Sequence, residues 1–288
     1  MNVCVIGLGL LGGSFSLALK KGRENVHVKG VDISEANGKK AIELGIADET
    51  VTFEEGVSTC ELIVLATPVN VMVKQIIPIL DLMSPEAILT DLGSTKEALC
   101  NLADTHPKRS RYVAAHPIAG TENSGPEAAF ASLMHHKMMI ICEREKSDKE
   151  AVEYVEELFK SFDMKITHMS SRDHDRHIAF VSHLSHITSF VLGATVLDKE
   201  KDERSIFAMA GSGFSSTVRL AKSSPDMWAP IFSQNKKNVL AALDAYINKL
   251  KHFKEIIDND DEQGSYDLML HANEIRRVLH GISKDETE

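Results

Sequence analysis

Short apolar runs alternate with stretches of three-and-four spacing through the first 168 residues, and the runs then stop. Val3-Cys4-Val5-Ile6, residues 26–31, Leu62-Ile63-Val64-Leu65-Ala66, residues 87–90, 112–115 and 137–142 read as strands, with a further one at Lys165-Ile166-Thr167. Between them the spacing predicts helices from the glycine-rich segment 7–14 to about Lys20, over 35–44, over 69–80 and over 150–162. Strands that are apolar on both faces and alternate with helices predict a parallel sheet covered on both sides, an α/β fold of doubly wound Rossmann type.

After His168 the pattern is helical throughout. Residues 171–199 read as one long helix; Gly211-Ser212-Gly213 breaks the chain, and 215–222 resumes as helix. Ser224-Pro225-Asp226 is a helix start, with a capping residue, a proline at the first position and an acid in the first turn. Val239, Leu240, Leu243, Ile247, Leu250, Phe253 and Ile257 carry that helix to about Asp258, and a last one covers 265–280. The division predicted is a dinucleotide-binding domain over 1–168 and an all-helical substrate-binding and dimerisation domain over 169–288. Residues 178–197 contain no Asp, Glu, Lys or Arg, which is long enough to cross a bilayer. Their histidines, serines and threonines are costly in lipid, so the expectation is a helix buried inside protein. Homodimerisation is the simplest way for so small a domain to cover it.

Composition narrows the partners. With 42 acidic against 32 basic residues, a net charge of −10 disfavours nucleic acid and anionic membranes but leaves room for an anionic small molecule beside a local cation. The four scattered cysteines suggest neither a disulfide framework nor a zinc ribbon, and the chain opens directly on a strand, so a cytoplasmic protein without a signal peptide is expected.

The chemistry begins at Gly7-x-Gly9-x-x-Gly12, directly after a strand. Gly7 permits a tight turn, Gly9 a close approach of backbone to a pyrophosphate, and Gly12 close helix–strand packing. Leu10 and Leu11 open the helix whose N-terminus would face the phosphates. Asp32 ends the second strand, where a carboxylate accepts ribose hydroxyls and repels a 2′-phosphate, favouring NAD over NADP. Thr67-Pro68 and Asp91-Leu92-Gly93-Ser94 follow two more strands, at the ends where such sheets bind ligands. His116 follows another, and an imidazole beside a nicotinamide pocket can take the proton of an alcohol as hydride leaves the same carbon. His174, His177, His183 and His186 have spacings that admit zinc, but no completing Cys or carboxylate set accompanies them, so no metal is expected.

Six segments together resemble the prephenate dehydrogenases of tyrosine biosynthesis. They are Gly-x-Gly-x-x-Gly-Gly-Ser at 7–14, Ala-Thr-Pro-Val at 66–69, Asp-Leu-Gly-Ser-Thr-Lys at 91–96, His-Pro-Ile-Ala-Gly-Thr-Glu at 116–122, Ser-His-Leu-Ser-His at 182–186 and Arg-Leu-Ala-Lys-Ser-Ser-Pro-Asp-Met-Trp at 219–228. The resemblance implies NAD-dependent oxidative decarboxylation of prephenate to 4-hydroxyphenylpyruvate. His116 would be the base and Ser94 would bind the C4 hydroxyl. Arg219 would hold a substrate carboxylate, His186 and Ser182 would line the side-chain pocket, and Glu122 would shape or gate it. Trp228 would approach the pocket, with the partner subunit as an alternative source. Tyrosine is implied as a competitive inhibitor at the same site. Ser185 and Asn123 depart from the Pro and Lys of many relatives, and no appended regulatory domain is expected. Arogenate (cyclohexadienyl) dehydrogenase is the sister activity. More distant alternatives are a β-hydroxyacid dehydrogenase-like reductase using Lys222 and a non-catalytic NAD-sensing protein.

Overall fold

The computed structural model describes residues 1–201 and 206–279. Eight strands form one sheet in the order β3-β2-β1-β4-β5-β6-β7-β8. They are β1 (Asn2–Ile6), β2 (His27–Val31), β3 (Glu49–Thr50), β4 (Leu62–Leu65), β5 (Ile88–Asp91), β6 (Tyr112–Pro117), β7 (Met138–Cys142) and β8 (Lys165–Met169). The helices among them are α1 (Leu10–Gly22), α2 (Glu35–Glu43), α3 (Phe53–Thr59), α4 (Val69–Leu82), α5 (Glu97–Ala103) and α6 (Lys149–Lys160).

Neighbouring residues of the inner strands point into opposite cores, as the period of two requires. Val3, Val5, Leu62 and Val64 join Phe15 and Leu19 of α1 and Val155 and Phe159 of α6 in one apolar layer. Cys4, Ile6, Ile63 and Leu65 join Met72, Ile76 and Ile79 of α4 and Leu99 of α5 in the other. Both faces are therefore covered, which accounts for the uniformly apolar strands. One junction differs from an all-parallel sheet: β7 runs antiparallel to β6, with His116 opposite Ile140. No crossover helix lies between them, because residues 118–137 form loops and 3₁₀ turns, and a parallel pairing needs a crossover.

By internal compactness the chain divides into 1–236 and 237–288. Within the first unit the long helix predicted over 171–199 has three parts: α7 (Ser171–Ile178), a π-helical turn over Ala179–His183, and α8 (Leu184–Glu200). It is not buried. Ile178, Ala179, His183 and Ser189 face inward, whereas Val181, Val191 and Leu197 are 73%, 59% and 56% exposed. Length and apolar character were read correctly, but the rest of the first unit does not cover that face. The first unit ends with α9 (Ser212–Thr217), a 3₁₀ turn over Arg219–Lys222, and α10 (Pro225–Gln234). The helix predicted to run from 225 to 258 is interrupted at Asn235, which has φ −97° and ψ 27°. The second unit holds most of α11 (Lys236–Asp258), then α12 (Glu262–Ala272) and a 3₁₀ turn over Asn273–Ile275. Tyr246, Leu250, Ile257, Met269 and Leu270 are exposed on it. The helix predicted over 265–280 begins three residues earlier, and its end at His280 lies outside the described residues.

Candidate active site

The carboxyl ends of β1, β2, β4, β5 and β6 carry the glycine turn, Asp32, Thr67-Pro68, Ser94 and His116. At the β1–α1 turn Gly7 has φ +95°, and a Cβ there would lie 2.7 Å from the Ala66 carbonyl oxygen at the end of β4. A Cβ on Gly12 would collide with the Gly7 carbonyl, whereas one on Gly9 would meet nothing within 4 Å. The turn is thus pressed onto the sheet at Gly7 and Gly12 and open above Gly9. Leu10 and Leu11 begin α1, whose first N–H groups have no intrahelical acceptor. Asp32 is fixed from two sides: Oδ2 accepts the Leu8 N–H at 2.9 Å and Oδ1 the Ser34 N–H at 2.9 Å. Oδ1 also accepts the Asn37 side-chain amide at 3.5 Å, and Oδ2 keeps a further lone pair. An open cradle at a helix N-terminus beside an anchored carboxylate fits a dinucleotide. Thr67 donates to Gln75 at 2.7 Å, and the Pro68 carbonyl accepts the N–H groups of Val71 and Met72, closing the first turn of α4.

His116 is the penultimate residue of β6 and is 7% exposed. Its Nδ1 lies 2.8 Å from Nε2 of His174 on α7, and His174 Nδ1 lies 2.7 Å from Asp175 Oδ1. The Asp175 carboxylate also accepts the N–H of Lys96 at 2.8 Å and of Glu97 at 3.0 Å. Those amides open α5, directly after the connection from β5 that carries Ser94, half-buried, two residues before Lys96. The Lys96 ammonium is fully buried; it donates to the Asp91 carboxylate and, at 2.8 Å, to the carbonyl of Ala115, the residue before His116. Asp91 also accepts the Tyr112 hydroxyl at 2.7 Å. Burial, reinforced by the charges of His174, Lys96 and His183, holds the His116 pKa well below its ordinary value. His116 is therefore a neutral imidazole, with one ring N–H, at neutral pH. No hydrogen bond reaches its Nε2 among the described residues.

The π-helical turn points His183 inward. Asn235, at the α10–α11 break, bonds His183 Nδ1 at 3.3 Å and donates to the Asp175 carbonyl at 2.7 Å. Burial lowers the His183 pKa to about 4. Its ring meets Trp228 edge-on, and Trp228 stacks on His186 with centroids 3.5 Å apart. Here Trp228 comes from the same chain as His186. The Ser182 carbonyl lies 3.0 Å from His186 Nδ1, so Ser182 meets His186 through its backbone. Buried His183 Nε2 and Trp228 Nε1 have no partner among the described residues. The pKa of His186 is lowered by burial, with a smaller contribution from nearby Arg219. Arg219 itself, 55% exposed, meets the Glu122 carboxylate at 3.5 Å. Glu122 follows His116 by six residues, a span of at most about 20 Å. Lys222 is exposed. His177 faces outward beside Arg176.

Four contributors were not picked out from the sequence. Asp175 and Asn235 carry no motif that singles them out, and His174 was weighed only as a metal ligand. Ser189 donates to the Thr217 carbonyl at 3.0 Å and accepts the Ala221 N–H at 3.1 Å, fastening the segment that carries Arg219. Ser189 stands among several serines and threonines of that helix; the histidine spacing marked His174 without its role, and nothing in spacing marks Asp175 or Asn235.

Comparison with known proteins gives a consistent answer. Residues 15–168 match the family model for the prephenate dehydrogenase nucleotide-binding domain, and 170–271 that for the prephenate dehydrogenase dimerization domain. Prephenate dehydrogenase of Bacillus subtilis is 31% identical over 96% of this chain and 76% of its own length. Cyclohexadienyl dehydrogenase of Zymomonas mobilis is 29% identical over 99% of this chain and 97% of its own. The solved structure of A. aeolicus prephenate dehydrogenase with hydroxyphenyl propionate and NAD+ aligns with a TM-score of 0.87 at 31% identity, covering 97% of this chain and 98% of that one. The chain belongs to the prephenate dehydrogenase family.

Proposed function

We propose that this protein is a cytoplasmic, homodimeric, NAD-dependent prephenate dehydrogenase, with residues 1–168 holding the dinucleotide and 169–288 contributing the substrate pocket and the dimer contacts. The observation that carries the reading is the state of His116: its Nδ1 is engaged by His174, its Nε2 is not, and burial keeps the ring neutral. Bound NAD supplies the hydride acceptor. Gly7, Gly9, Leu10, Leu11, Gly12, Asp32, Thr67 and Pro68 form its cradle. His116 takes the proton of the C4 hydroxyl as carbonyl character grows there, and Ser94 orients that hydroxyl. Loss of the ring carboxylate as carbon dioxide makes the ring aromatic, which drives the step without a metal or an acid. Arg219 holds a carboxylate of the dianionic substrate, and Ser182, His186 and Trp228 line the side-chain pocket. The exposed apolar face of α8 and the match of 170–271 to a dimerization domain support self-association.

One observation favours arogenate as a second substrate. Glu122 brings a carboxylate to within 3.5 Å of Arg219, and an acid there suits the ammonium that arogenate carries in place of a ketone. Tyrosine, which carries the same ammonium, is proposed as a competitive inhibitor. Absorbance at 340 nm with NAD and either prephenate or arogenate tests the reading. Turnover of prephenate is expected, and failure with both substrates would refute it.

A further inference from the structure

The direction of the hydrogen bonds along His116, His174 and Asp175 follows from the acceptors at the far end. A carboxylate has no proton to give, so His174 Nδ1 must donate to Asp175 Oδ1 across 2.7 Å. Burial lowers the His174 pKa, which keeps its other nitrogen, Nε2, a lone-pair acceptor at neutral pH. The proton in the 2.8 Å contact between the two rings therefore belongs to His116 Nδ1. A free imidazole favours the opposite tautomer, so this assignment is imposed by the neighbours.

We propose that His174 and Asp175 are positioning residues that lock His116 as its Nδ1–H tautomer, leaving Nε2 as the proton-accepting atom, and that Asp175 couples this lock to the loop bearing Ser94. The juxtaposition is direct. One carboxylate holds the ring that holds the base, and it also holds the amides of Lys96 and Glu97 just beyond Ser94. Asn235 anchors the Asp175 carbonyl from the α10–α11 break, so the device is fixed on its other side as well. The charged and titratable groups facing it are Asp91, Lys96 and His183. Lys96 and Asp91 are paired with each other, which leaves Asp175 as the carboxylate directed at the imidazole pair.

In the step itself the substrate O–H breaks and His116 Nε2–H forms, the C4 hydride would pass to bound NAD, and the bond to the carboxylate on the ring carbon para to C4 breaks, its electron pair entering the ring as carbon dioxide leaves. His116 then carries two N–H groups and a positive charge, and the His174 lone pair and the Asp175 charge behind it stabilise that cation. The inference rests on His116 being the base. Its test is read first without substrate, so the two can fail separately.

The experiment is ¹⁵N NMR of the full-length protein labelled in histidine, with His116→Asn used to assign the resonance. Wild type should show His116 protonated at Nδ1. In His174→Leu the Nε2–H tautomer should predominate, and in His174→Gln, whose amide oxygen can still accept, Nδ1–H should return. Kinetics on the same proteins should show kcat with prephenate down about 100-fold in His174→Leu, with KM and the Kd for NAD within about twofold, and at least tenfold recovery in His174→Gln. Asp175→Asn should switch the tautomer too and, through the loosened Ser94 loop, also raise KM. An unchanged His116 tautomer in His174→Leu overturns the proposal, as does a tautomer switch that leaves kcat intact. A wild type that shows the Nδ1–H tautomer but does not turn over prephenate or arogenate would instead refute the assigned activity.

Discussion

Acid should unfold this protein through its buried histidines before its carboxylates titrate. His183 is fully buried between Trp228 and Phe232, and its pKa falls from 6.5 to about 4 because burial penalises the charged ring. A histidine with a depressed folded pKa contributes no penalty above 6.5. It costs stability progressively below that value, because the unfolded chain binds a proton that the folded chain refuses. The loss is complete only near the folded pKa. Between pH 7.5 and pH 5 this one site removes about 2 kcal/mol. His116, His174 and His186 are shifted in the same direction and add to it. Urea unfolding at fixed protein concentration, followed by the fluorescence of Trp228, the single tryptophan, reads the change at the site itself. His183→Asn should be less stable at pH 7.5, through lost ring contacts, but should lose about 2 kcal/mol less than wild type on going to pH 5. Equal losses in both proteins, or a wild type as stable at pH 5 as at 7.5, would refute the burial argument.

Arg219→Ala should raise KM for prephenate tenfold or more, as loss of a charge-assisted contact of about 1.5–3 kcal/mol requires, with NAD affinity unchanged; a KM within twofold of wild type would contradict carboxylate binding. Ser189→Ala leaves the Thr217 carbonyl and the Ala221 N–H without their partner, at about 1–3 kcal/mol. It should lower the thermal midpoint and raise KM with less effect on kcat, and normal values for both would show that the Arg219 segment is held by other means. Asp32→Ala should weaken NAD and relax discrimination against NADP in steady-state kinetics. A wild type that already prefers NADP would disprove the ribose assignment.

The central sheet was legible because burial on both faces forces apolar runs such as 62–65, and the glycine turn because Gly7 and Gly12 have no room for a side chain. Features set by tertiary contact were not. α5 spans only seven residues, and β3 only two, too few for a period to register. The antiparallel β7 has the same composition as a parallel strand; only the missing crossover helix distinguishes it. A π-helical turn alters the spacing for one turn, so 171–199 still reads as a uniform helix although His183 and His186 are re-aimed within it. The break at Asn235 was hidden because neither Gln234 nor Asn235 interrupts the apolar spacing, yet Gln234 bonds Thr95 and the Val69 carbonyl while Asn235 reaches Asp175 and His183. Exposure of the 171–200 helix reflects what its own unit leaves uncovered, and composition cannot tell which partner covers an apolar face.

Replacing His116 by Asn and measuring kcat with prephenate alongside NAD affinity tests the account most directly. A fall in kcat of about 100-fold or more with unchanged NAD binding is the predicted result. A variant that turns over prephenate at the wild-type rate would contradict it.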